Sequence, residues 1–471
     1  MIGLSLLFVS LLVDFADAKE GDVIEAIDAG RDEFAAVAHS IWEYAELGYL
    51  EERSSELLKN KLAAAGFSVQ SGVAGIPTAF IAERGSGWPV VALLAEFDAL
   101  PGMSQQDVTH REPRVAGAAG HACGHHLFGA GSLAAAVVVG EWLQRQRVSG
   151  TLRVYGTPAE EGGSGKVYMV RAGLFDDVDA VLNWHPADRN TASPRTTLAN
   201  KSAKFRFHGV ATHAAMAPER GRSALDAVEA MNHMVNLMRE HLPQDCRIHY
   251  VITHGGVAPN IVPEFAEVFY YVRHPEARIL PELWDRVVKA AEGAALGTGT
   301  QMEYEVIHGN YNKVPNTALS RQIDKNLRLV GGVNYTPEER VFAERIRATL
   351  GRTDIVLGSE AEVQPFEPRD SKGSTDVGDL SWIVPTSDLG TATWVPGTAA
   401  HSWQAVAVGG MGIGIKGMMV AAKVLALTAV DLFRDPSLVR AAQEELVQRR
   451  GTEFVYTPLL GNREPPLDYR K

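Results

Sequence analysis

Apolar residues Ile24, Ile27, Phe34, Val37, Ile41 and Ala45 recur at near-helical spacing, which predicts one helix over 23–47. A second helix is predicted over 54–65, with Gly66 placed to end it. Residues 89–95 are apolar without a break, as a strand covered on both faces must be. Residues 125–146 read as a helix, and 151–155 and 180–183 as strands. Strands alternating with helices predict an α/β domain whose sheet is mixed but largely parallel and flanked by helices. The apolar stretch 417–433 is interrupted by Lys423 and Asp431, so it reads as a buried helix and not as a membrane span.

The pattern changes near Lys201. Ala203, Phe205 and Phe207 alternate with polar residues, as on a half-covered strand. A helix over 223–242 follows, with Ser223 and Asp226 spaced like a capping box. Strands over 247–253 and 266–273, a helix over 281–296 and a strand over 302–307 complete a βαββαβ order, that of a ferredoxin-like α+β unit. These segments divide the chain into a domain built from 19–200 and 310–471 and an inserted domain over 201–309. The Pro-rich stretch 457–471 is expected to be a loose tail.

The amino terminus stands apart. An apolar run over 2–13 is followed by Ala16-Asp17-Ala18, which matches a secretory signal with a small-x-small cleavage site, although no Lys or Arg precedes the run. Removal of residues 1–18 would leave Lys19 first and place the protein in the periplasm or outside the cell; a retained segment would leave it in the cytoplasm. The formal charge of the 471-residue chain is −12, with no basic cluster, which argues against nucleic acid as a partner. The two cysteines, Cys123 and Cys246, are too few for a disulfide framework.

Four short segments carry chemistry. Gly120-His121-Ala122-Cys123-Gly124-His125-His126 packs a thiol among imidazoles, a donor set suited to zinc or a similar divalent ion. A long helix starts there, and its amino-terminal dipole is expected to favour the thiolate. Taken alone, the segment equally fits a turn with structural histidines. Thr157-Pro158-Ala159-Glu160-Glu161-Gly162-Gly163 follows a strand, the position at which open α/β sheets build sites. One of its carboxylates could bind metal while the other accepts a proton, although most Glu-Glu pairs are solvated loops. His185 in Trp184-His185-Pro186 follows another strand, and His401 in Ala400-His401-Ser402-Trp403 follows a Gly-rich loop. A lone histidine is ordinarily structural. Together, Cys123, His125, Glu161, His185 and His401 make five ligands, enough for two ions that share a bridge.

These segments, with Phe97-Asp98-Ala99-Leu100-Pro101, resemble the amidohydrolase branch of the aminoacylase and carboxypeptidase metallopeptidases, which includes hippurate and auxin-conjugate hydrolases. Gly221-Arg222-Ser223-Ala224-Leu225-Asp226 and Ser374-Thr375-Asp376-Val377-Gly378-Asp379 support the resemblance, which spans about 22–433. It implies two divalent ions per subunit, zinc or manganese, bridged by Cys123. Glu160 would be the general base toward the water between them, and Asp98 would orient a ligand. His213 would reach a partner subunit's site to stabilise the oxyanion, and Asn260 and Arg273 would hold the substrate carboxylate. The implied activity is hydrolysis of an N-acyl amino acid, aroyl-glutamates such as p-aminobenzoyl-glutamate included. A dipeptidase, or a non-catalytic partner subunit, would share the same features. A homodimer formed through the inserted domain is implied, or a hetero-oligomer with a related subunit. Two departures stand out: Glu96-Phe97-Asp98 lacks the His-x-Asp histidine of many relatives, and His126 stands where many branch members have Asp.

Overall fold

The structure, a computed structural model, describes residues 20–351 and 354–470. The signal-like segment therefore lies outside the described residues.

A five-stranded mixed sheet forms the centre, in the order Ser68–Ser71, Phe80–Ser86, Gly150–Gly156, Val90–Ala95, Ala180–Leu182. The last three strands pair in parallel, and the first two add antiparallel pairings at one edge. Ser68–Ser71 therefore runs the same way as the last three strands and only Phe80–Ser86 is reversed, so the sheet is mixed with four of its five strands in one direction. Val91, Ala92, Leu93 and Leu94 are fully buried, as their unbroken apolar run requires. The helices His125–Gln146 and Gly412–Arg434 pack against each other, the first directly on the central strands. The second is the long apolar segment, and almost its whole length is buried.

The single amino-terminal helix expected from the apolar spacing is two helices, Glu20–Ala29 and Arg31–Tyr44. The break falls at Gly30, against which the Phe34 ring packs. Both helices turn the same face to the core, so the apolar spacing runs on through the break.

The strands Ala199–His208, Arg247–His254, Phe265–His274 and Gln301–Asn310 form a separate antiparallel sheet in the order last, first, third, second. Helices Ala224–Met238 and Leu280–Thr298 cover one face and close a second core around Phe205, Phe207, Tyr270 and Trp284. Ser223 caps the first helix by accepting from the Asp226 N–H at 3.1 Å. The strand Arg247–His254 is an edge with most of its side chains exposed.

The carboxy-terminal stretch is not a loose tail. Leu459 and Leu460 are buried. Arg463 donates to the carbonyls of Val306 and Ile307 at 2.6 and 3.0 Å. Tyr469 and Arg470 both reach the Glu161 carbonyl, at 3.3 and 2.7 Å. Isolated anchors hold this segment, and a Pro-rich composition hides them.

Candidate active site

The functional side chains arrive from strand ends and helix starts of the mixed sheet. Glu96 and Asp98 follow Val90–Ala95, Glu160 and Glu161 follow Gly150–Gly156, and His185 lies three residues past Ala180–Leu182. Cys123 and His125 flank Gly124, which has φ +77° and begins the helix His125–Gln146. A Cβ at Gly124 would stand 2.7 Å from the Pro186 side chain, so only glycine lets this turn lie against the residue after His185. Trp184 is fully buried and donates its indole N–H to the Phe128 carbonyl at 3.2 Å, which fixes the chain just before His185. His401 has φ +60°, and its N–H bonds the Ala122 carbonyl at 2.8 Å, tying the last loop to Cys123.

The five expected ligands come together. Ligand atoms of Cys123, His125 and His185 lie within 4.8 Å of one another, and so do those of Cys123, Glu161 and His401. Glu96, His125 and Glu160 make a third such set. Closest approaches are 3.5 Å from Cys123 Sγ to His185 Nε2 and 3.1 Å from His401 Nε2 to Glu161 Oε1.

The histidine ring orientations suit metal binding. His185 Nδ1–H donates to the Pro186 carbonyl at 2.7 Å, which leaves the Nε2 lone pair facing Cys123. His125 Nδ1–H donates to Asp98 Oδ1 at 2.9 Å, which leaves its Nε2 lone pair inward. Orienting a ligand through its far nitrogen is the usual role of a carboxylate or carbonyl beside a metal. Buried His125 Nε2, Glu96 Oε2 and Glu161 Oε1 have no well-formed hydrogen bond, although His125 Nε2 and Glu96 Oε2 stand 3.0 Å apart and Glu161 Oε1 stands 3.1 Å from His401 Nε2. Burial opposes a charge on His125, but Cys123, Glu96 and Asp98 outweigh it and raise its pKa well above the ordinary range. The surroundings therefore favour positive charge at this point, and the donor set fits divalent metal.

Burial, then Glu161, pushes the Cys123 thiol well up. The expected dipole effect of the helix start is outweighed in the protein alone, so it is an entering cation that would bring out the thiolate. Burial, then Glu96 and Glu161, likewise raises Glu160 well above the ordinary carboxylate range. Burial works against ionised Asp98 as well, yet His125 and the Glu161 N–H hold its carboxyl below that range.

Asp98 holds two parts at once, because its Oδ2 accepts from the Glu161 N–H at 2.9 Å. Two supporting residues gave no local signal in the sequence. Fully buried Glu51 accepts from the Ala159 N–H at 2.8 Å, and Ala159 itself has φ +57°. Fully buried Lys166 lies 2.7 Å from Glu96 Oε1 and 2.8 Å from Asp376 Oδ1. Glu96, the departure from His-x-Asp, thus has a cation at one oxygen and the ligand cluster at the other. His126 is buried and directs Nε2 to the Gly409 carbonyl at 3.1 Å, away from the ligands.

The three positions expected on the inserted segment lie elsewhere. His213 and Asn260 are exposed and adjacent, joined through a bridge between His213 and Ile261. Arg273 sits next to the end of its strand, opposite Asn200 and Arg247, with its guanidinium over Tyr271. None of the three lines the cavity that opens on Cys123, Glu161 and His185.

Residues 92–372 match the model of Peptidase family M20/M25/M40. The chain belongs to this family. It is a metal-dependent hydrolase. The chain is 41% identical to one of the subunits of the p-aminobenzoyl-glutamate hydrolase of Escherichia coli, over 94% of this chain and 97% of that one. It is 30% identical to the Xaa-Arg dipeptidase of Mus musculus, over 89% and 90%. In fold it resembles a dinuclear metal-binding peptidase of the same family from Bacillus subtilis, with a TM-score of 0.59 and 19% identity, covering 86% of this chain and 99% of that one.

Proposed function

We propose that this protein is a dinuclear amidohydrolase that releases an amino acid from an N-acyl amino acid, with aroyl-glutamates such as p-aminobenzoyl-glutamate as its substrate class. The observation that carries the reading is that Cys123 Sγ belongs to two separate ligand sets, one with His125 and His185 and one with Glu161 and His401. A shared thiolate between two imidazole- or carboxylate-bearing sets is what a bridged pair of ions needs. The 41% identity to a p-aminobenzoyl-glutamate hydrolase chain supports the substrate class.

Cys123, His125 and His185 would hold one ion and Cys123, Glu161 and His401 the other, zinc or manganese, with the thiolate favouring zinc. When bound, such ions polarise the scissile carbonyl and make water a stronger nucleophile. Glu160 takes a proton from the attacking water and returns it to the leaving nitrogen. Asp98 holds His125 in one tautomer and fixes the Glu161 backbone. His213 of the partner subunit supplies a donor to the oxyanion, with Asn260 and Arg273 toward the α-carboxylate. The exposure of His213 and Asn260 supports assembly through the antiparallel-sheet unit, as a homodimer or with a related subunit.

The test is metal analysis together with glutamate release from p-aminobenzoyl-glutamate by wild type and Glu160→Gln. Two ions per chain are expected in both proteins. Glu160→Gln should lose about 10²–10⁴-fold in kcat, the usual worth of a positioned base. A fully active Glu160→Gln enzyme, or a wild type that holds no metal, would refute the proposal.

A further inference from the structure

The cavity beside the ligand cluster, about 430 Å³ in volume, is also lined by Arg195, Lys313 and Asp388. Lys313 and Asp388 are buried and form a direct ion pair, so together they carry no net charge. Arg195 approaches the same carboxylate only to 3.9 Å, beyond hydrogen-bond distance, and its side chain remains 46% exposed. A guanidinium that has found its carboxylate looks different in this same protein. Arg153 grips Asp177 through both nitrogens, at 2.6 and 2.7 Å. The Arg195 fork is uncommitted by comparison, and it borders the space in which the leaving amino acid must sit.

The other charges on this wall sharpen the point. Glu96, Glu160, Glu161 and Asp188 line the same cavity. Asp188 is held by Arg189 at 2.9 Å, and the three glutamates belong to the ligand region. Of the two cations on this wall, Lys313 is already paired with Asp388, so an anionic group entering away from the ions finds its free positive charge at Arg195. A planar, permanently charged fork is the side chain best suited to bind a carboxylate there. Among the described residues, Arg195 hydrogen-bonds to none of the five ligand residues. With Asn260 and Arg273 assigned to the α-carboxylate, the carboxylate left for Arg195 is the one on the side chain of the amino acid.

We propose that Arg195 is a specificity-determining residue that binds the side-chain carboxylate of the leaving amino acid and so selects acidic amino acids, glutamate above all. This inference rests on the amidohydrolase reading and goes beyond it in assigning the acidic preference to one cation of this chain.

The experiment compares p-aminobenzoyl-glutamate with p-aminobenzoyl-glutamine as substrates of the wild type and Arg195→Gln, with metal content measured in both proteins. Metal content should be equal. With the variant, kcat/KM for the glutamate conjugate should fall about 10- to 150-fold, the range for losing hydrogen bonds to a charged group, and chiefly through KM. The glutamine conjugate should change by less than about threefold. An equal loss on both conjugates, as from a grip on the α-carboxylate, would overturn the proposal, and so would no loss on either. If the wild type hydrolyses neither conjugate, the amidohydrolase reading fails, and calorimetric titration with free L-glutamate and L-glutamine decides this inference alone. Glutamate binding that Arg195→Gln abolishes supports it, and glutamate binding equal in the two proteins overturns it.

Discussion

Lys166 offers the sharpest test of how this centre is built. It lies in the short helix Gly165–Arg171 with no solvent exposure, and its ammonium is shared between Glu96 and Asp376. Asp376 also accepts from the Lys166 backbone N–H at 2.9 Å. Burial alone would strip the proton from this lysine, but the two carboxylates outweigh it and raise its pKa above the ordinary lysine value. Lys166→Met keeps most of the stem and removes the charge, leaving Asp376 buried without its counter-ion and Glu96 with only His125 beside it. Breaking a buried pair from one side costs about 3–5 kcal/mol. At roughly 2 °C per kcal/mol for a long chain, the melting temperature in chelator should drop by about 6–10 °C. Adding Glu96→Gln should recover part of the loss, since the second change removes one of the stranded charges and the two effects are coupled. Saturating zinc or manganese should narrow the deficit by supplying positive charge beside Glu96. Scanning calorimetry on the wild type, both single variants and the double variant, with and without metal, reads all of this. A Lys166→Met protein that melts within about 2 °C of the parent in chelator, or a double variant that simply adds a further loss, would refute the reasoning.

Two further expectations follow from parts of the molecule outside the ligand set. Arg470→Ala with Tyr469→Phe frees the Glu161 carbonyl; losing about 1–2 kcal/mol of hydrogen bonding there should lower kcat roughly tenfold and weaken metal retention against a chelator, with KM and melting temperature little changed. Burial raises the carboxyl of Asp379 to about 7, against the hydrogen bonds it accepts from Tyr456 and Tyr311. The native state then binds this proton more tightly than the unfolded chain does, so its stabilising effect is complete below about pH 4 and is lost as pH rises through 7. In urea unfolding, wild type should lose up to about 4 kcal/mol relative to Asp379→Asn between pH 4 and pH 8, and parallel pH profiles would contradict this.

The parts legible in the sequence were those with a local signature. Val90–Ala95 announced itself by an unbroken apolar run, and the βαββαβ order by switches between period two and period 3.6. Cys123, His125, Glu161, His185 and His401 were legible because each stands at a strand end or a helix start, where side chains converge on one edge of the sheet. What stayed hidden depends on pairings far apart in sequence. Glu51 meets Ala159 across 108 positions, Lys166 meets Asp376 across 210, and Arg470 meets Glu161 across 309. No periodicity links such positions. Arg195 was hidden for the same reason, since its meaning comes from a cavity wall that Lys313 and Asp388 complete from elsewhere in the chain. The Gly30 break escaped because two helices sharing one buried face keep one apolar rhythm.

The electrostatics of the centre explain why so many distant elements converge on one loop. Glu96, Asp98, Glu160, Glu161 and Asp376 crowd five carboxyl groups around two cationic groups, Lys166 and His125. Each bare charge in such surroundings costs several kcal/mol, so before cations enter the raised Glu160 carboxyl favours its protonated form, and entering cations favour release of that proton. Glu96 and Glu161 both act against ionisation of Glu160, a like-charge crowding centred on the loop from Pro158 to Gly163. The left-handed Ala159 adds a conformational cost of order 1–3 kcal/mol at the same place. The loop is held against both from every side. Glu51 takes the Ala159 N–H, Asp98 the Glu161 N–H, Tyr49 donates to the Gly163 carbonyl at 2.6 Å, and Tyr469 and Arg470 hold the Glu161 carbonyl. Gly48 lets the Tyr469 hydroxyl in, since a Cβ there would stand 2.5 Å from it. A loop so constrained presents its two carboxylates at fixed positions whether or not the ions have arrived. Metal binding then costs little reorganisation, and Glu160 is already placed for proton transfer.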